Sequence, residues 1–263
     1  MKKRERDRIN VIGMTIKAVV ISLLILLTIS THAFADQFSS WGSINYTDSE
    51  GFRLESSFKD SFPVGRLNIY ISLGINQSSK REQIWNNKLT PALGIEYRLP
   101  FTLFKGAEWQ YYTIGGKGQV RFYTDIDDPA PEIIPYFNWG FGGRFNKYLP
   151  YSSWGNLKYT DINGLYLETA FKQDLQLNRI VPYVDLGLTQ SSIREHIWDN
   201  KVTVRVGIEY ILPLKLFSGW EDYRTGVKVG YDFSTDHKLN EFTFTFYFIN
   251  WSFGGMSLIE RTF

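Results

Sequence analysis

The chain has 263 residues, with 29 Lys and Arg against 27 Asp and Glu, no cysteine, and aromatic residues at 17%. Without cysteine it has no disulfide framework, no thiolate metal site and no thiol nucleophile. A formal charge of +2 is too small to supply the electrostatic attraction that nucleic-acid binding requires.

Residues 1–35 read as a secretory signal peptide. The basic stretch MKKRERDRINVIGMTIK is followed by an apolar run at 18–29 and by THAFADQ, in which Ala33, Phe34 and Ala35 have the pattern of a signal-peptidase site before Asp36. The run of about 12 residues is short for a spanning helix, and an uncleaved inner-membrane anchor is the alternative. The leader holds six basic residues and two acidic ones (Glu5 and Asp7), which leaves 23 basic against 25 acidic of the 29 and 27 in the whole chain. The excess of positive charge therefore belongs to the leader. The expected mature unit is 36–263, exported by the Sec route.

After the leader the chain repeats itself. SSWGSINYTD at 39–48 returns as SSWGNLKYTD at 152–161, QSSKREQIWNNK at 77–88 as QSSIREHIWDNK at 190–201, and GIEYRLP at 94–100 as GIEYILP at 207–213, always 113 positions later. Beyond Phe104 and Phe217 the offset falls by two, and YTIGGKGQVRFYTD at 112–125 lies over YRTGVKVGYDFSTD at 223–236. This reads as an internal duplication, with repeat one at 38–150 and repeat two at 151–263.

Inside each repeat the dominant period is two. In RLNIYISLGIN, Leu67, Ile69, Ile71, Leu73 and Ile75 share one face and Asn68, Tyr70, Ser72, Gly74 and Asn76 the other. Six such segments are expected per repeat, near 38–47, 51–60, 66–76, 88–99, 110–125 and 133–145. The fold expectation is all-β: a transmembrane antiparallel barrel of about 12 strands built from two tandem six-stranded units, with ten strands as the alternative count. A soluble β-sandwich also alternates. The large apolar residues on one face and the mixture of small and charged residues on the other favour the barrel.

Aromatics near strand ends (Trp41, Tyr97, Trp109, Tyr111, Trp154, Tyr210, Trp220 and Trp251) suggest interfacial girdles, and the chain stops on Phe263, like the terminal aromatic read by the barrel-assembly machinery. The last residues do not alternate cleanly, so FTFTFYFINW just upstream is the better closing strand. With both termini in the periplasm, the repeated dodecapeptide and DIDDPAPE at 125–132 face outward. LPFTLFKGAEW at 99–109 and LPLKLFSGWED at 212–222 face the periplasm, where they suit the interface or a periplasmic secretion component.

Charges on the polar faces are the candidate lumen and solute contacts: Arg53, Glu55, Lys59, Glu96, Arg98, Lys117, Arg121, Glu168, Lys172, Arg205, Glu209, Lys228 and Asp232. Same-strand pairs are expected between Arg53 and Glu55, Glu96 and Arg98, Glu168 and Lys172, Arg205 and Glu209, and Lys228 and Asp232. The modest cationic excess suits a conduit favouring anions; the same charges, paired across a narrow bore, would instead plug it. The outer-rim candidates are Arg81, Glu82, Trp85, Arg194, Glu195 and Trp198, read as paired loop clasps or as a twofold ligand contact.

No catalytic constellation emerges. His196 and His237 have no serine at strand spacing, GGKG at 115–118 lacks a phosphate-loop pattern, and DIDDPAPE lacks EF-hand spacing. No catalytic residue, metal or cofactor is expected. An outer-membrane lipid hydrolase is the third reading, after a pore and a sealed structural or receptor barrel.

The pattern SSWGxxxYTDxxGxxLE, then PYVDLG, then VGIEYxLP resembles the C-terminal barrels of bacteriophage-adsorption and exopolysaccharide-secretion outer-membrane proteins. The resemblance implies a barrel in the lipid of a Gram-negative outer membrane that works beside separate periplasmic components and passes or anchors a glycan. Those proteins usually carry a periplasmic helical-repeat domain ahead of the barrel, and no such repeat pattern is read in residues 1–263. Twelve-stranded acidic-sugar channels are a second likeness, by strand count and lumen charge alone.

Overall fold

The computed structural model describes residues 37–48, 51–79, 87–123, 126–161, 163–193, 200–216, 219–235 and 240–256. The leader, the six outer-rim candidates, the three histidines and Phe263 lie outside the described residues. Twelve strands form: β1 (Gln37–Thr47), β2 (Gly51–Val64), β3 (Leu67–Ser78), β4 (Lys88–Arg98), β5 (Trp109–Tyr123), β6 (Ile126–Arg144), β7 (Pro150–Thr160), β8 (Gly164–Asp174), β9 (Ile180–Ser191), β10 (Lys201–Ile211), β11 (Trp220–Ser234) and β12 (Glu241–Met256). Neighbours in sequence pair antiparallel, and β12 pairs with β1 to close the ring. One closed sheet excludes the sandwich. It also leaves no unpaired edge, the condition a β-structure must meet in hydrocarbon.

Side-chain contacts across intervening strands identify the inner face. Lys59 on β2 reaches Glu96 on β4, and Tyr70 on β3 reaches Tyr136 on β6; such contacts are possible only across the concave side of a ring. The strand registers carry this parity all round the barrel. The opposite face is apolar and open, as at Leu93 (61% exposed), Phe242 (61%) and Ile133 (80%). An apolar exterior around a charged interior inverts the soluble pattern and matches a wall in contact with lipid.

Parity corrects the expected girdles. Tyr97, Tyr210 and Trp251 stand on the outer wall, but Trp41, Trp109, Tyr111, Trp154 and Trp220 share the lumen parity. Size and nearness to strand ends had suggested all eight. In a strand, one step in register decides the face. DIDDPAPE is also corrected, because β6 begins at Ile126 and takes up most of it.

The two seams of the ring are alike. Trp139 lies over Gly155 where β6 meets β7, and Trp251 lies over Gly42 where β12 meets β1; a Cβ on either glycine would overlap the indole. At the second seam Trp251 Nε1 also donates to Ser40 Oγ at 3.2 Å. Gly42→Ala is expected to push the indole off the closing seam at a cost of about 1–3 kcal/mol. Urea unfolding of the refolded protein in detergent micelles measures it, and an unchanged midpoint would contradict the packing described.

Candidate functional site

The lumen holds the same constellation twice. In the first half Lys59 Nζ lies 2.6 Å from Glu96 Oε1, and 4.2 Å from the centroid of the Tyr70 ring, whose hydroxyl is 2.9 Å from that of Tyr136. In the second half Lys172 Nζ lies 2.8 Å from Glu209 Oε2, and 4.1 Å from the centroid of the Tyr183 ring, whose hydroxyl is 2.8 Å from that of Tyr247. Lys59, Tyr70 and Glu96 precede their counterparts by 113 positions, and Tyr136 precedes Tyr247 by 111. These are the two offsets of the sequence repeat.

Local sequence explains how each tyrosine gets there. Tyr70 faces Gly94 across the β3–β4 ladder and Tyr183 faces Gly207 across β9–β10. The rings lie over these glycines, where a Cβ would overlap them. Each tyrosine is thereby laid flat along the wall with its hydroxyl aimed at the far side of its half-barrel.

The halves differ in charge around this shared core. Glu96 also accepts from Asn68 Nδ2 at 2.8 Å and from the Tyr136 hydroxyl at 3.1 Å. Glu209 accepts instead from Arg224 Nη1 at 2.7 Å, and Arg224 reaches Asp222 at 2.8 Å and Asp174 at 3.7 Å. Arg205 pairs with Asp185 at 3.3 Å and Lys201 with Asp232 at 2.6 Å, while Arg121 pairs with Glu132 in the first half.

Every lumen candidate named from the sequence has the inward parity. The expected partners were mostly wrong. Arg53 does meet Glu55, at 3.3 Å, but Glu96 takes Lys59 rather than Arg98, Lys172 takes Glu209 and Asp174 rather than Glu168, Arg205 takes Asp185, and Asp232 takes Lys201. Residues i and i+2 on one strand stand about 7 Å apart, within reach for Arg53 with Glu55, Lys172 with Asp174 and Arg224 with Asp222, whereas Lys59 and Lys172 also reach across the concave face to acids two strands away. Arg98 is exposed at the end of the barrel where β1 begins, 3.5 Å from the Gln110 carbonyl.

The sequence reading missed Lys88, Lys158, Lys201 and Arg224, and with them Glu132, Asp174, Asp185 and Asp222. All eight share the inward parity. Bases and acids are equally represented among them, so the cationic excess stands. The four tyrosines were missed too, although identity at the repeat offset on an inward position marks each of them.

Two polar cavities open along the lumen, of about 300 and 330 Å³. Lys59, Tyr70, Glu96, Lys117, Lys158 and Glu168 help to line the first. Lys172, Tyr183, Asp185, Glu209, Lys228, Arg53 and Glu55 help to line the second. Trp41 borders both and stands between them. Neither Lys117 nor Lys228 forms an ion pair or a hydrogen bond among the described residues; Lys228 Nζ stands 5.0 Å from the Tyr247 ring centroid. They occupy equivalent positions 111 apart, one in each cavity.

Two parts of the repeated dodecapeptide and its surroundings can be placed. Asn87 Oδ1 accepts from Ser78 N, and Asn200 Oδ1 from Ser191 N, each at 2.5 Å, so each loop is closed at its base by the same side-chain bond. At the opposite end of the barrel, Gln110 Oε1 accepts from Leu103 N and Phe104 N at 2.8 and 3.1 Å, and Phe104 stacks on Phe141 at 4.1 Å. The LPFTLF segment therefore lies back against the outer wall near the rim.

No family model matches the chain, and no curated protein matches it. Several solved structures are similar to it. The chain is similar to a KdgM porin in complex with disordered oligogalacturonate, with TM-score 0.40, 8% identity, and coverage of 82% of this chain and 98% of that one. For a NanC porin the figures are 0.41, 12%, 82% and 98%. For outer membrane phospholipase A from Escherichia coli they are 0.44, 10%, 82% and 89%.

Proposed function

We propose that the chain is a passive pore in the outer membrane of a Gram-negative bacterium, reached by Sec export and the barrel-assembly machinery, and that it admits polar solutes with a preference for anions. The observation that carries this reading is the pair of lysines, Lys117 and Lys228, each facing an open polar cavity without an ion-pair partner among the described residues. A cation held in a confined lumen attracts anions more strongly than one exposed to bulk water. Tyr70 and Tyr183, flat on the wall beside Lys59 and Lys172, add apolar faces with polar edges on which a sugar ring can lie. Lumen contact is thus assigned to both clusters, and no catalytic role is assigned to any residue.

A second reading, a sealed structural or receptor barrel, draws support from the linked ion pairs of Lys172, Glu209, Arg224, Asp174 and Asp222, which tie β8, β10 and β11 together across the lumen wall. A finer version of the first, glycan export beside a periplasmic component of an exopolysaccharide system, rests on the sequence resemblance alone. Liposome swelling separates the two main readings. Refolded protein is expected to admit a small acidic sugar faster than a neutral one of equal size; liposomes that stay impermeable to both would favour the sealed barrel. Trp41→Ala, which removes a large side chain that lines both cavities, is expected to raise the swelling rate severalfold without altering which sugar is preferred.

A further inference from the structure

The outer wall contains an anomaly. Apart from Glu221 at the start of β11, Asp60 is the one charged residue that the register turns outward among the residues whose side chains are described. It is 6% exposed, and its Oδ1 has no hydrogen-bond partner. An ionisable group on a membrane-facing wall is costly and points to a partner.

Asp60 lies at one end of an apolar groove of about 620 Å³ that crosses six strands, lined by Phe38, Phe58, Leu93, Gly118, Pro131 and Ile133 among others. At 4.7–4.9 Å between strands, the groove runs for about 24 Å. Asp60 pairs with Phe38, the second residue of β1, and therefore stands close to the rim where β1 begins. From there the groove climbs to Ile133, well inside β6. Where it passes Pro91, which lacks an N–H, the β4–β5 register is interrupted between Leu89 and Ala92.

The second half supplies an internal control. The residue equivalent to Asp60 is Gln173, whose Nε2 is occupied by the Pro150 and Asp174 carbonyls at 2.9 and 3.1 Å. The counterparts of Gly118, Pro131 and Ile133 are Val229, Phe242 and Phe244, paired in the same register. Bulkier side chains and a satisfied amide thus replace a groove with a carboxyl that has one oxygen, Oδ1, without a partner.

We infer that this groove binds one phospholipid of the periplasmic leaflet, its acyl chain lying along the groove and a primary ammonium in its headgroup donating to Asp60. Head at the rim and tail toward the midplane is the orientation a leaflet lipid already has, and an ammonium N–H supplies the donor that Oδ1 lacks. The inference rests on the membrane placement proposed above, and its test is confined to protein shown to be folded in a bilayer.

The refolded barrel is placed in vesicles of equal acyl composition with ethanolamine, choline or glycerol headgroups, extracted gently, and its retained lipid weighed by native mass spectrometry. Ethanolamine lipid is expected to be retained about tenfold over choline lipid, the worth of one hydrogen bond to a charged group. Asp60→Asn is expected to erase that preference while keeping chain retention, and Gly118→Val with Ile133→Phe to lower retention of every lipid. Equal retention of all headgroups by the folded wild type, an unchanged preference in Asp60→Asn, or lipid displaced by a second copy of the chain would each overturn the inference. Protein that fails to enter vesicles at all would instead refute the membrane placement.

Discussion

Glu209→Ala is expected to be the most destabilising single substitution in the lumen. Its side chain is 4% exposed and takes hydrogen bonds from both Lys172 and Arg224, so truncation leaves two cations side by side on a largely buried wall with Asp174 and Asp222 left to compensate them. Removing one partner of a buried ion pair costs about 3–5 kcal/mol, and a hydrated lumen puts the loss near the lower figure. The equivalent Glu96→Ala is expected to cost about 1–2 kcal/mol. Its carboxyl is 12% exposed, the Lys59 it frees is 32% exposed, and its other partners are neutral. Urea unfolding of both variants in the same micelles gives the comparison. Equal losses would contradict the account of the second half as the more tightly ion-paired.

Lys117→Glu combined with Lys228→Glu is expected to reverse ion preference. The double variant changes the cavity-facing charge by four units without breaking any ion pair among the described residues, and lumen rings of one sign set the preferred ion. Lys117→Met with Lys228→Met is expected to weaken anion preference without reversing it, which guards against a folding defect in the acidic variant. Arg98 and Arg205 are also among the lumen candidates named from the sequence. Neutralising them is expected to do less, because Asp185 already compensates Arg205 and Arg98 stands exposed at the rim. Reversal potentials in a salt gradient measure all three, and an unchanged sign in the acidic variant would contradict the assignment.

Much of the fold was legible because alternation and repetition are properties of the chain itself. The 113-residue offset, the period of two and the even strand number led to a closed ring of twelve, and the strand register turns the lumen candidates inward. What failed was whatever depended on distance between strands. Glu96 and Arg98 are neighbours in sequence, yet Lys59, two strands away, makes the ion pair. Trp41 and Trp154 have the size of girdle residues, but their register turns them inward. Asp60 sat unnoticed in the run SFKDSF because a single charge in a strand reads as solvated; only its outward parity and unpaired Oδ1 set it apart. The rim tryptophans Trp85 and Trp198 remain sequence expectations.

The central claim is that the lumen conducts and prefers anions. Planar-bilayer recording on refolded protein, with folding checked by its shifted migration on unheated gels, tests it most directly. The expected result is discrete current steps and a reversal potential displaced toward that of the anion in a potassium chloride gradient. A flat baseline at every voltage, or a displacement toward the cation, would contradict it.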